Sequence, residues 1–126
     1  MTDRQPHVLI VIVTYESEGV IADCVGSISG SLAGAATSST VIVDNGSVDD
    51  TLAVARAASP EAAQISLGRN DGYAAGINAG IRHGMTPDTD AVLVLNPDIR
   101  LGSASVPRLL EVLDEKGVGL AVPRRG

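Results

Sequence analysis

Apolar residues run without a polar interruption through positions 8–13, 41–43 and 91–95. The first two runs are rich in β-branched side chains, and all three read as strands buried on both faces. Between them the period changes. Val20, Ile21, Cys24, Val25 and Ile28 recur at helical spacing, with Ser17 placed to cap the helix. Residues 29–39 are rich in Gly, Ala and Ser and read as a connection before a strand at 40–43. Ser47, with Asp50 three residues on, has the form of a capping box for a helix over 49–58, which ends ahead of Pro60. A short strand at 63–67, a glycine-rich stretch, helices near 74–83 and 106–116 and a last apolar segment at 118–122 complete the chain. Strand and helix alternate nearly throughout. That order predicts an α/β fold, a mostly parallel sheet with helices on both faces.

Two of the strands end alike. The run at 91–95 meets Asn96-Pro97-Asp98, where proline has no N–H to give a ladder, so the strand stops and a carboxylate follows on the loop. The run at 40–43 leads into Asp44-Asn45-Gly46-Ser47. Each acid alone is compatible with simple turn chemistry. Together, at the carboxyl ends of two buried strands, they mark the edge where open α/β sheets bind ligands.

Composition narrows the function. The 126 residues suffice for one domain with one core. The formal net charge is -6, and Arg124-Arg125 is the one basic run, so no nucleic-acid surface is expected. Cys24 is the single cysteine, which excludes an intrachain disulfide and a cysteine-type zinc site. No stretch is long enough for a transmembrane segment and no signal-peptide pattern is evident, so the chain reads as cytoplasmic. His7, His83 and Cys24 have no partners at nucleophile or metal spacing and read as structural.

The phosphate-binding signatures of two nucleotide folds are missing. No Gly-rich run closes on Lys and Ser or Thr. The turn after the first strand is Thr14-Tyr15-Glu16-Ser17-Glu18, without the glycines of a dinucleotide-binding domain. Glycines come instead after the third strand, in Gly68-Arg69-Asn70-Asp71-Gly72-Tyr73-Ala74-Ala75-Gly76.

Four blocks, Val-Ile-Val-Thr-Tyr at 11–15, Val-Asp-Asn-Gly-Ser-Val-Asp-Asp-Thr at 43–51, Gly-Arg-Asn-Asp-Gly-Tyr-Ala-Ala-Gly-Ile-Asn-Ala-Gly at 68–80 and Leu-Asn-Pro-Asp at 95–98, occur in an order and spacing that resembles the family 2 glycosyltransferases. The closest look is to a rhamnosyltransferase-like branch in which Asn-Pro-Asp stands for the usual Asp-x-Asp. The resemblance implies a Rossmann-like GT-A fold and a donor that is a nucleotide-diphosphate sugar, carried by UDP or dTDP, with dTDP-rhamnose among the donors this branch suggests. It implies that Thr14 and Tyr15 line the base pocket, with Glu16 beside them where many relatives carry Asn. It implies that Asp44 meets the imide of a uracil or thymine ring. Asn70 and Gly72 match the block that approaches ribose and sugar phosphate, and Asn78 matches a residue that recurs in the following helix. The resemblance further implies that Asn96 takes the place of the first acid of the metal motif and that Asp98 is the expected ligand of Mg2+ or Mn2+.

A hydroxyl acceptor, a saccharide or lipid-linked glycan, is implied as well. Its activation needs a general base, which similar enzymes carry on a segment after the point where this sequence ends. The expectation is therefore a single truncated GT-A donor-binding domain spanning 1–126. It serves either as the donor half of a glycosyltransferase or as a non-catalytic nucleotide-sugar-binding module completed by a partner. An open sheet edge at 118–122 would favour a homodimer.

Overall fold

The computed structural model describes residues 4–116 and 120–121. Five strands form one sheet, β1 (His7–Thr14), β2 (Thr37–Asp44), β3 (Ala63–Ser66), β4 (Ala91–Leu95) and β5 (Leu120–Ala121), in the order β3-β2-β1-β4-β5. Every pairing is parallel. The helices are α1 (Ile21–Gly26), α2 (Ile28–Leu32), α3 (Thr51–Ala58), α4 (Tyr73–Gly84) and α5 (Ser105–Lys116).

The central place of β1 explains its sequence. Both edges are paired and both faces covered, so every residue from Val8 to Thr14 is buried. Val8, Ile10 and Ile12 face one core with Ile42, Leu93 and Leu95, beneath Ile21, Cys24, Val25 and Ile28 of α1 and α2, Ala55 of α3 and Val106 of α5. Leu9, Val11 and Val13 face the other with Val41, Val43, Val92 and Val94, beneath Ile77 and Ile81 of α4. Gly76, Gly80 and Gly84 recur every fourth residue on the sheet-facing side of α4. A Cβ at Gly80 would lie 2.5 Å from Val11 Cγ1, and one at Gly76 2.7 Å from Val13 Cγ1, so the helix backbone itself rests on the sheet.

Several boundaries differ from the pattern. The stretch expected as a connection contains α2, whose Ile28 and Ser31 are buried; the Ser31 hydroxyl donates to the Ile28 carbonyl at 2.5 Å. β2 begins at Thr37 rather than at 40. Its first half pairs only with β1, since β3 joins from Val41 on, so Thr37–Thr40 retain polar side chains. Neither expected cap forms. The Ser17 hydroxyl donates to the Tyr15 carbonyl, and Ser47 is taken up by Asp44, while the α3 entry is held by Asp49, which accepts from the Thr51 amide at 3.1 Å and from the Thr51 hydroxyl. Of the final apolar segment, Leu120 and Ala121 form β5 at the end of the sheet, while 118, 119 and 122 lie outside the described residues, as does Arg124-Arg125. No described helix is long and apolar enough to cross a membrane.

The amino ends of β1 and β4 are clamped by Asp90. One carboxylate oxygen accepts the His7 amide at 2.7 Å, the other the Arg4 guanidinium at 2.9 Å. The His7 amide first, then Arg4, hold the Asp90 carboxyl below its usual value. A carboxyl lowered in the folded state contributes stability above its unfolded pKa, about 4, and loses it as pH falls through the folded value. Thermal melts of Asp90→Asn and the parent chain should therefore differ at neutral pH and converge as the pH drops below about 4. The exposed geometry keeps the difference near 1 kcal/mol or less.

Candidate functional site

β1 and β2 run in register to Thr14 opposite Asp44, whereas the pairing of β1 with β4 stops at Ile12 opposite Leu95. Beyond that level β1 continues beside β2, while the chain leaving β4 turns aside at Asn96-Pro97. The divergence falls where the strand order changes direction, the place where open α/β sheets bind ligands.

Asp44 is the hub of that edge. It is 1% exposed. Its Oδ1 accepts the Thr14 and Ser47 hydroxyls, both at 2.7 Å, and its Oδ2 accepts the Ser47 amide at 2.9 Å. Thr14 is fully buried beside it. The backbone is equally tied, with the Asn45 amide donating to Thr14 O at 2.9 Å and the Leu67 amide to Asp44 O at 3.0 Å. These bonds join the ends of β1, β2 and β3 into one rigid rim.

Asn45 was not among the residues the sequence pointed to. It is 3% exposed, and its Nδ2 donates to Gly72 O at 3.2 Å. Its Oδ1 is one of two buried side-chain oxygens without a partner among the described residues, the other being Ser105 Oγ. A buried acceptor left unmade is costly, and such groups mark places where a ligand or water completes the bond. The available signal was its place one step past a buried strand, which was credited wholly to Asp44.

The loop after β1 is zipped to the loop after β2. Glu16 adopts φ 48°, and its Oε2 accepts the amides of Val48 and Asp49 at 3.2 and 3.1 Å. Its own amide donates to Ser47 Oγ at 2.8 Å, and the Ser17 amide to Thr51 Oγ1 at 2.8 Å. The Glu16 carboxylate thus braces the rim. Tyr15, between these ties, projects its ring into solvent at 52% exposure.

On the other side, Gly46 has φ 76°, and a Cβ there would lie 2.7 Å from Arg69 Cα, so the turn after β2 packs directly on the backbone of the glycine-rich loop. Asn70 Oδ1 accepts the Gly72 amide at 2.9 Å, fixing the turn into α4. Gly72 itself has φ 92°. Arg69 pairs with Asp71 at 2.8 Å on the surface. Asn78 is exposed in the middle of α4, on the side away from Gly76 and Gly80, and no described contact joins it to the rim.

Asn96 and Asp98 leave the end of β4. Asn96 O accepts the Ile99 amide at 3.1 Å and lies 3.8 Å from Cys24 Sγ; Ile99 is buried and Asp98 exposed. No group of three or more His, Cys, Asp or Glu among the described residues is placed to hold a metal ion. Burial first, then the charge of Asp98, pushes the Cys24 thiol up to about 12. Cys24 should therefore resist alkylation by iodoacetamide at neutral pH and react only once the chain is unfolded; rapid labelling of the native chain would contradict its buried position.

A doubly covered parallel sheet with a polar rim at its switch point defines an α/β fold of the GT-A class. Solved structures share this fold, two of TarS among them. S. aureus TarS 1–349 superposes with TM-score 0.70 at 19% identity, covering 86% of this chain and 32% of that one. Another S. aureus TarS structure gives 0.69 at 19%, covering 87% and 20%. Residues 9–126 match Glycosyl transferase family 2, and the chain belongs to that family. It is 30% identical over 116 residues to the low-salt glycan biosynthesis hexosyltransferase of Haloferax volcanii, covering 91% of this chain and 35% of that protein. The chain thus spans about a third of the length of the hexosyltransferase it resembles.

Proposed function

We propose that this domain binds the donor of a sugar transfer, a UDP- or dTDP-activated sugar, from which the sugar passes to a hydroxyl acceptor. Family membership supports sugar transfer, and the observation that carries the donor reading is the buried, partnerless Oδ1 of Asn45 at the ligand edge. The imide N–H of uracil or thymine is a donor that this oxygen matches, whereas adenine presents no imide. Asp44, whose carboxylate already receives three protein donors, holds the rim and places Asn45. Tyr15 offers a ring face for stacking, and the turn at Asn70 and Gly72 brings backbone close to ribose and phosphate. Asn-Pro-Asp favours a dTDP-deoxysugar such as dTDP-rhamnose within this range.

Asp98, with the oxygen of Asn96, fits a hard divalent ion whose remaining positions are filled by phosphate oxygens and water. When bound, such an ion supplies positive charge against the departing diphosphate. The protein's part is to hold the base with Asn45 and Tyr15 and to keep Asp98 facing the diphosphate. Glu16 and Asp44 spend their carboxylates on the rim, so neither is available as the base for the acceptor hydroxyl. Residues 1–126 alone should bind donor without efficient transfer.

The test is a thermal-shift and calorimetric panel of UDP, dTDP, ADP and GDP, each with Mn2+ or chelator. UDP and dTDP should stabilise the domain most; at about 100 times the dissociation constant the gain is roughly 2.7 kcal/mol. Asn45→Leu should weaken them about tenfold, or about 1.4 kcal/mol, within the range for losing one buried hydrogen bond. Equal shifts from all four nucleotides would rule out the base pocket. Asp98→Asn should imitate chelation without lowering the melting temperature of the free protein, and identical affinities with and without Mn2+ would remove the metal.

A further inference from the structure

The segment 96–104 that carries Asp98 lies along the outside of α1 and α2 and is tied to them at successive points. Asn96 O faces Cys24 Sγ at 3.8 Å, Arg100 pairs with Asp23 at 2.8 Å, the Leu101 amide donates to Ser27 Oγ at 2.9 Å, and the Ala104 amide donates to Gly30 O at 3.1 Å. These ties differ in strength. The Arg100–Asp23 pair is exposed at 73% and 62% and holds little. The thiol contact is long and weak. The Ser27 hydroxyl is half-buried and committed in both directions, donating to Cys24 O at 2.7 Å while accepting from Leu101. Its rotor is therefore fixed, and so is the amide it receives.

Ser27 also sits at a structural joint. It has φ −81° and ψ −12° between α1 and α2, and its own amide donates to Asp23 O and Cys24 O, so the two short helices continue as one bar. The other end of that bar begins at the base-side loop, where Ser17 O accepts the amides of Val20 and Ile21. One rigid element thus spans from the loop bearing Tyr15 to the loop bearing Asp98. Burial of Ile99 sets how deep the acid loop sits, but an apolar contact does not fix its position along the helix. A directed hydrogen bond two residues further on does.

We infer that Ser27 is the positioning residue of the acid loop. Its hydroxyl sets where Asp98 stands relative to the base pocket, and so controls how the diphosphate and its cation are held. This rests on the donor-site reading given above. Ser27→Ala leaves the Leu101 amide without its acceptor, and alanine is a better helix former than serine, so the variant is expected to fold. Ser27→Thr keeps the hydroxyl.

The experiment compares Mn2+-dependent UDP binding, metal-free uridine binding and amide exchange in the parent chain and both variants. Ser27→Ala should weaken UDP in Mn2+ about tenfold, the loss typical when a group that orients a metal ligand is removed. Uridine affinity should stay within twofold. Exchange should quicken at Ile99 and Leu101 but not at Asn45 or Ser47, and Ser27→Thr should restore all three readouts. Unchanged UDP affinity with unchanged exchange at Ile99 would overturn the inference, as would an equal loss of uridine. If UDP binding by the parent chain ignores chelation, the metal reading fails. The Ser27 tie is then decided by exchange alone, and parent-like protection of Ile99 in Ser27→Ala would refute it.

Discussion

Gly80→Ala should destabilise the domain by about 1–2 kcal/mol, while the same substitution at Gly30 should stabilise it by about 0.5–1 kcal/mol. Both glycines lie within helices, so the propensity gain is shared. The difference is space. A methyl at Gly80 enters within 2.5 Å of Val11 Cγ1 and 3.2 Å of Val43 Cγ2, on two central strands that are themselves fully packed, whereas a methyl at Gly30 meets nothing within 4 Å. Valine is stiff at χ1 and cannot swing away, so α4 must lift off the sheet. Gly80→Val should exceed the alanine penalty and reach about 3 kcal/mol or more. Urea unfolding of the set decides it. Matching, positive changes at Gly80 and Gly30 would show that α4 does not rest on its glycines.

The second large effect belongs to Asp44→Ala. The substitution strands the Thr14 hydroxyl and both the amide and hydroxyl of Ser47, in a place where Asp44 is 1% exposed and Thr14 fully buried. Each buried donor left unmade costs about 1–3 kcal/mol, so a total of about 3 kcal/mol or more is expected, partly relieved where water reaches Ser47. Asp44→Asn, which keeps one acceptor but turns an N–H toward donors, should fall between alanine and the parent. Circular-dichroism melts would rank the three. A near-parent melting temperature for Asp44→Ala would mean that the rim is held by backbone pairing alone.

Much of this was legible in the sequence, and what was not has physical causes. A strand buried on both faces advertises itself as an unbroken apolar run, so β1 and β4 were plain. β2 was seen only in its second half because Thr37–Thr40 lack a neighbour on the β3 side and need not be apolar. α2 was hidden by glycine and serine, poor helix formers that tertiary packing of Ile28 overrides. In the site, the sequence singled out Asp44 but not its partners. A carboxylate surrounded by hydroxyls looks the same in sequence whether or not those hydroxyls bond to it, and here Thr14 and Ser47 both donate to Asp44. The carboxylate of Glu16 turns back to the amides of Val48 and Asp49, a contact invisible to pattern. Asn45 was passed over because an amide after an acid reads as turn chemistry, and its orphaned oxygen exists only in three dimensions.

The central position of β1 has a consequence for how the chain reaches this state. The strand that occupies the middle of the sheet is the first to be synthesised, and its β4 neighbour is specified far downstream; Arg4 and Asp90, which clasp the two, are 86 positions apart. At ribosomal rates of about 5–20 residues per second, the most apolar strand waits on the order of ten seconds for that mate. β2 arrives early and closes one side, but the other edge stays open over the interval. Parallel pairings this distant in sequence also slow folding even once the chain is complete, because loop closure precedes the contacts that reward it. Nascent chains that stall before β4 emerges would present that edge to any passing strand.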